Sequence, residues 1–375
     1  MTEPVRALDG LQSGRGIASP TSERELLSTP AHTGYLATKT FGSLDGLRAL
    51  SILGVVWHHT QEGLHSLPIA YRGFLGVDLF FVISGFLIVT LLLRERRRTG
   101  TISLKKFYIR RFLRIFPPYY GVLALVAIIA FLKPGDQSNV IRRDLPYALF
   151  YISNLVPMLS ILNPTWSLSV EEQFYLVVPA LQKLARPAFP AVIVVAYLLV
   201  SLPPFGFFPN WKLPDFFRET TFGPILLGVM LALVLDHPTG YRWTSQVLGY
   251  WIAPAIAGVL VLLACNHPAD DISGFPRMAI HLSLVALLAA CVSRERHVLA
   301  PLLRLWPIRR IGAVSYGIYL YHLLARHLVK AGMKFAGMDS QALFFLTTAA
   351  CAWIVAELSY HLYESRFLAL KSRWE

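Results

Sequence analysis

The chain has 375 residues, 55% of them hydrophobic and 15% charged, and a mean hydropathy of +0.51. Soluble domains carry about 25% charged residues, so these values exclude a soluble enzyme, a secreted disulfide scaffold and a disordered regulator. The net charge of +13 does not point to nucleic acid, because the 35 Lys and Arg fall mainly in short loops between apolar runs, where the positive-inside rule accounts for them.

The pattern predicts an all-α polytopic membrane protein. Residues 1–40, rich in Ser, Thr, Gly and Pro and without an apolar period, are expected to form a flexible cytoplasmic tail. A membrane domain over 41–365 and a short cytoplasmic tail over 366–375 follow. About ten transmembrane helices are predicted, over 43–62, 74–93, 116–133, 171–186, 188–204, 220–236, 247–265, 278–293, 311–330 and 342–362. The stretch 146–165 is apolar but broken by Pro146, Asn154, Pro157 and Pro164, and predicts a re-entrant or interfacial segment. With the N-terminus inside, inner segments hold 24 Lys and Arg and outer loops 9, Arg277 among the latter. Both termini are therefore expected in the cytoplasm, with the chain in the cell's inner membrane.

Charges placed in hydrocarbon mark candidate sites. The first span, LDGLRALSILGVVWHHTQEG, carries Asp45, Arg48, His58 and His59. Eleven residues separate Arg48 from His59, about 20° past three full turns and roughly 16 Å along the axis, so they share a face. Asp45 lies within about 40° of that stripe and His58 about 80° off it. The other reading is a snorkelling Arg with an interfacial His pair. Asp78 opens the second span in GVDLFFVISGFLI, as a partner for Arg48 or a histidine, and Ser84-Gly85 is expected to serve helix packing.

The next segment, RERRRTGTISLKKFYIRRFLRIFP, has nine basic residues in 24. Arg110 and Arg114 share a helix face with Arg111 beside them, which suits either a topology signal or a phosphorylated ligand held by guanidinium forks. NPTWSLSVEEQFYLVVP starts a helix whose first turns carry Glu171 and Glu172, with Trp166 and Tyr175 close by. It reads as a site for a hydroxylated substrate or as a capped interfacial helix. In IGAVSYGIYLYHLL, Tyr316 and His322 put polar tips into the ninth span, where a lone His is usually a packed, hydrogen-bonded residue. His281 has a weaker claim. HExxH, CxxC, GxSxG and Walker loops are absent, and Cys265, Cys291 and Cys351 lie in or beside apolar runs as packing residues. No metal and no bound cofactor are expected.

Five of these motifs, in this order, resemble the integral-membrane acyltransferase-3 family over about residues 41–365: LDGLRAL with Arg48 and His59, GVDLFFVISGFLI, FYIRRFLRIFPPYY, WSLSVEEQFYL and SYGIYLYHL. The resemblance implies a ten-helix O-acyltransferase that moves an acyl group, acetyl by family frequency, from cytoplasmic acyl-CoA to a hydroxyl of a cell-envelope glycan. It implies that Arg48 and His59 are the essential pair, that the Arg110/Arg111 region is the basic motif, and that Trp166, Glu171 and Glu172 belong to the Glu-rich motif. On this reading His59 is base or transient acyl carrier, with Asp45 or Asp78 orienting it and Arg48 steadying the oxyanion or the orientation of the base. Arg110, Arg111 and Arg114 would hold the donor's phosphates, while Asp78, Trp166, Glu171, Glu172, Tyr316 and His322 line the site. Some relatives carry a fused SGNH domain. This chain is expected to be a stand-alone form, with the bilayer, a glycan or lipid-linked acceptor and a separate extracytoplasmic transferase as candidate partners. The competing reading from the same charges is a secondary transporter for an anionic solute.

Overall fold

The computed structural model describes residues 29–61, 68–202, 219–270 and 272–374, which contain helices and no strand. At the centre pack α1 (Leu44–Thr60) and α2 (Leu75–Thr99). Then follow α3 (Leu104–Leu132), α4 (Asp136–Leu149), α5 (Thr165–Leu184), α6 (Phe189–Ser201), α7 (Glu219–Asp236) and α8 (Pro238–Leu248). The chain continues through α9 (Ala253–Cys265), α10 (Phe275–Ser293), α11 (Trp306–Ala313), α12 (Ser315–Phe335) and α13 (Gln341–Ser359).

A helix lies over each of the ten predicted spans. Among the described residues, four helical runs are long and apolar enough to cross a membrane: α2, α3, α10 and Gln341–Lys371. The α7–α8 pair, bent by 106°, makes a fifth if counted as one broken span. By contrast α1 has 17 residues, and α6 and α9 have 13 each, short of the ~20 that span hydrocarbon unaided.

A helix that is apolar all round belongs inside a bundle, and α2 follows that rule. Its Phe81, Val82, Ile83, Phe86, Ile88 and Val89 are buried. Gly85 lets α7 approach closely, since a Cβ there would sit 2.0 Å from the Ile225 carbonyl oxygen. The reciprocal Gly228 faces the Val82 carbonyl at 2.2 Å. Packing was therefore the right expectation for Gly85.

One terminal expectation changes. Residues 29–40, expected in the flexible tail, instead carry a helix over Pro30–Ala37, with Thr29 Oγ1 accepting from the His32 N–H at 3.2 Å. His32 and Tyr35 are buried with their rings 5.1 and 5.3 Å from that of Tyr241. Aromatic burial outweighs the polar composition of the segment; residues 1–28 lie outside the described residues. At the other end, Ser365–Lys371 is helical, continuing α13 through a π turn over Tyr360–Glu364.

Between α4 and α5 the backbone is irregular, apart from one 3₁₀ turn over Ser153–Leu155. Several of its polar groups are paired within the protein. The buried Asp144 carboxylate accepts from the N–H groups of Leu159 and Ser160 at 3.0 and 2.9 Å and pairs with Arg143 at 2.6 Å. Asn154 and Gln173 exchange amide hydrogen bonds of 2.9 and 2.8 Å. Non-helical backbone at membrane depth is tolerated only when covered in this way.

Candidate active site

The α1 stripe serves two cavities. Near its start, Arg48 lines a cavity of about 110 Å³ with Ser84, Arg111, Arg114, Glu171, Tyr175 and Tyr316. Arg48 Nη1 donates to Asp45 Oδ1 at 2.8 Å, one turn back. Across the cavity the Ser84 hydroxyl donates to Glu171 Oε1, and Tyr316 Oη donates to the Ile115 carbonyl at 3.1 Å. Ser84, expected as a packing residue, therefore holds a site carboxylate; the signal was its polarity within an otherwise apolar turn.

Arg111 and Arg114 also line a neighbouring cleft of about 870 Å³. That cleft is bordered by eight basic side chains and one acid, Glu95. Arg110 is occupied there, donating to Glu95 Oε2 at 3.3 Å and to the Trp374 carbonyl at 3.0 Å. Among the described residues neither Arg111 nor Arg114 makes a hydrogen bond or ion pair. Arg111 instead lies over the Tyr175 ring at 5.2 Å. Two guanidinium forks thus stand ready at the junction of cleft and cavity, a suitable arrangement for phosphate oxygens.

The other end of α1 lines a third cavity, about 240 Å³, where His58 and His59 meet Asp78, Asn163, Trp166 and Arg277. Val77 and Tyr319 line both this cavity and that of Arg48, so the two adjoin. Helix α1 ends here with its last carbonyls taken from outside: Arg326 Nε donates to His59 O at 2.5 Å and Gln341 Nε2 to Thr60 O at 2.8 Å. The rings of His58 and His322 both have centroids 5.0 Å from that of His59. His58 Nδ1 lies 3.1 Å from the Tyr71 carbonyl and His322 Nδ1 lies 2.6 Å from the Tyr319 carbonyl, so both carry their proton on Nδ1. Among the described residues the His59 ring makes no hydrogen bond, which leaves its nitrogens to a ligand.

Asp78 sits in the wall of this cavity, 2% exposed. Arg277 Nη2 reaches its two oxygens at 3.0 and 2.8 Å, and Arg277 Nε donates to His281 Nε2 at 3.1 Å. Asp78 Oδ2 lies 3.1 Å from the same His281 nitrogen, closing a triangle.

Several expectations are corrected by these positions. Asp45 cannot orient the His59 ring: fourteen residues of helix separate them by roughly 21 Å, and Asp45 is bound to Arg48. Arg48 and His59 share a face but line two adjoining cavities, roughly 16 Å apart along the helix. The partners of Asp78 are Arg277 and His281, not Arg48 or the α1 histidines. Arg277, counted with the outer loops, lies buried in the first turn of α10. The only sequence signal for that pair was its i, i+4 spacing at the mouth of a span. Trp166 joins the His59 cavity and Glu171 the Arg48 cavity. Glu172, one residue on and about 100° round the helix, is within electrostatic reach of Tyr119, Tyr120 and Tyr151.

Comparison with known sequences agrees with the motif order. The acyltransferase domain of the acyltransferase-3 family matches residues 41–357. The peptidoglycan O-acetyltransferase OatA of Listeria monocytogenes is 30% identical over 355 residues, which cover 86% of this chain and 55% of the relative. "Putative peptidoglycan O-acetyltransferase YrhL" of Bacillus subtilis is 28% identical over 347 residues, 86% of this chain and 54% of the relative. The chain therefore spans a little over half the length of these curated relatives. No solved structure gives a significant match. The chain belongs to the acyltransferase-3 family.

Proposed function

We propose that this acyltransferase-3 member moves an acetyl group from cytoplasmic acetyl-CoA, through the bundle, to a hydroxyl of a cell-envelope glycan. The observation that carries the reading is the shared lining of the three spaces. Arg111 and Arg114 join the basic cleft to the Arg48 cavity, and Val77 and Tyr319 join that cavity to His59. In this reading about ten helices cross the inner membrane, both termini are cytoplasmic, and the basic cleft opens to the cytoplasm. Peptidoglycan, the polymer named for two relatives, is the first acceptor to test.

The chemistry follows from the donor. A thioester is already activated, so the reaction needs donor binding, a base for the acceptor hydroxyl and stabilisation of the oxyanion. Arg111 and Arg114 bind the CoA phosphates, and the thin pantetheine arm runs past Arg48 and Glu171 toward His59. Trp166 offers an aromatic face and Asn163 an amide to a sugar in the His59 cavity. His59 takes the hydroxyl proton as the oxygen attacks the thioester carbon, an effect worth roughly 10²- to 10⁴-fold. In the covalent variant its imidazole first accepts the acyl group and releases CoA thiol.

The test is transfer of label from acetyl-CoA in inside-out vesicles supplied with glycan acceptor. Base-labile label on the glycan is the expected result. Solute uptake independent of CoA, with no labelled glycan, would overturn the reading in favour of a transporter.

A further inference from the structure

We propose that Arg277, held by Asp78 and His281, is the catalytic group that stabilises the oxyanion formed beside His59. The inference rests on the acyl-transfer reading and adds a residue to it. Addition of a hydroxyl to a thioester turns a neutral carbonyl oxygen into an anion, and fixed donors at that point lower the barrier. Arg48 is engaged with Asp45 and lines another cavity. Arg277 lines the same cavity as His59.

Its geometry is that of a fixed donor. Two of its three nitrogens are committed, Nη2 to Asp78 at 3.0 and 2.8 Å and Nε to His281 at 3.1 Å. Among the described residues Nη1 makes no hydrogen bond, and it is not among the side-chain nitrogens sealed from solvent. The side chain as a whole is 6% exposed. A planar guanidinium clamped along one edge cannot turn away, so the remaining edge is presented to the cavity. Phe74 ties this wall to the histidines: the Arg277 guanidinium carbon lies 5.4 Å from its ring centroid, and the His58 ring lies 5.4 Å away. A buried ion pair is a weak device for stability. Its place in a cavity wall beside an unpartnered imidazole is better explained by chemistry.

The step balances as follows. His59 takes the acceptor proton while the hydroxyl oxygen bonds to the thioester carbon. The carbonyl π pair moves onto oxygen, where Arg277 Nη1 donates to it. Collapse restores the carbonyl, breaks the C–S bond and releases CoA thiolate, which takes the proton from His59. Arg277 keeps its charge throughout and transfers nothing.

The experiment uses the full-length protein in proteoliposomes with acetyl-CoA and purified peptidoglycan strands. Arg277→Lys keeps a cation for Asp78 but cannot both hold Asp78 and present a second fixed donor. Its turnover should fall by roughly 10²- to 10³-fold, with KM for acetyl-CoA little changed. A second measurement needs no variant. A phosphonate analogue of acetyl-CoA, tetrahedral and anionic, should bind the wild-type protein about 10²-fold or more tightly than the neutral thioether S-ethyl-CoA. Equal affinity for the two analogues would overturn the proposal whether or not the variant folds. Wild-type transfer with Arg277→Lys turning over at a comparable rate would remove Arg277 from the chemistry and leave the transferase reading intact. A wild-type protein that transfers no acetyl group would refute both.

Discussion

Arg48 and His59 stand on one face of α1 yet open into two adjoining cavities, roughly 16 Å apart along the helix. A single helix thus contributes a cation near the basic cleft and an imidazole in the second cavity. Under the proposed function this separation gives the two residues different tasks, Arg48 in donor passage and His59 in proton transfer. The predictions below follow from that division.

His59 and His58 are neighbours with unequal freedom. His58 is tied to the Tyr71 carbonyl at 3.1 Å, whereas the His59 ring makes no hydrogen bond among the described residues. His59→Ala should lower turnover by roughly 10²- to 10⁴-fold, while His58→Ala retains measurable transfer. Rates are compared at matched membrane insertion. Equal loss in both, or loss only at His58, would remove His59 as the base.

The arginines of α3 should separate binding from chemistry. Losing one charge-assisted contact costs about 1.5–3 kcal/mol, or roughly 10- to 150-fold in affinity. Arg111→Gln should raise KM for acetyl-CoA by that order and recover most of its rate at saturation. Arg110→Gln should do less, because Arg110 is already occupied by Glu95 and the Trp374 carbonyl. Unchanged donor dependence at Arg111 and Arg114 would demote the cluster to a topology signal.

Asp144 gives a pH-dependent test of the irregular segment that precedes α5. Burial alone would raise its carboxyl, but hydrogen bonds from Arg143, Ser160 and Leu159 outweigh that and hold it below the usual range. A depressed folded value stabilises the protein above the unfolded pKa of about 3.9 and is lost as pH falls through the folded one. Asp144→Asn should therefore cost about 1–3 kcal/mol near neutral pH, and the gap to wild type should close on acidification below that range. Thermal melting in detergent across pH measures it; a pH-independent gap would mean that the carboxylate charge is not what matters.

Orientation is checked by reporters. A fusion after Glu375 should read cytoplasmic and one inserted between residues 61 and 72 external, as the split of 24 to 9 Lys and Arg requires. The reverse at both sites would place the basic cleft on the wrong face for a cytoplasmic donor.

The amino-acid sequence alone determined the helical class, a helix over every predicted span, and the common face of Arg48 and His59. These depend on apolar runs and on the 3.6-residue period, which are local properties. The five ordered motifs also carried the family. Only the tertiary structure decided who meets whom. Asp78 finds Arg277 and His281, about 200 residues away in sequence, because α10 packs on α2. Ser84 reaches Glu171 because α5 lies against the same helix. The buried aromatic helix at Pro30–Ala37 was hidden in a polar composition, since His32 and Tyr35 gain their burial from Tyr241, a residue far along the chain. Periodicity places a residue on a face, but it does not say which helix will cover that face, and the partner fixes whether a charge is paired or free.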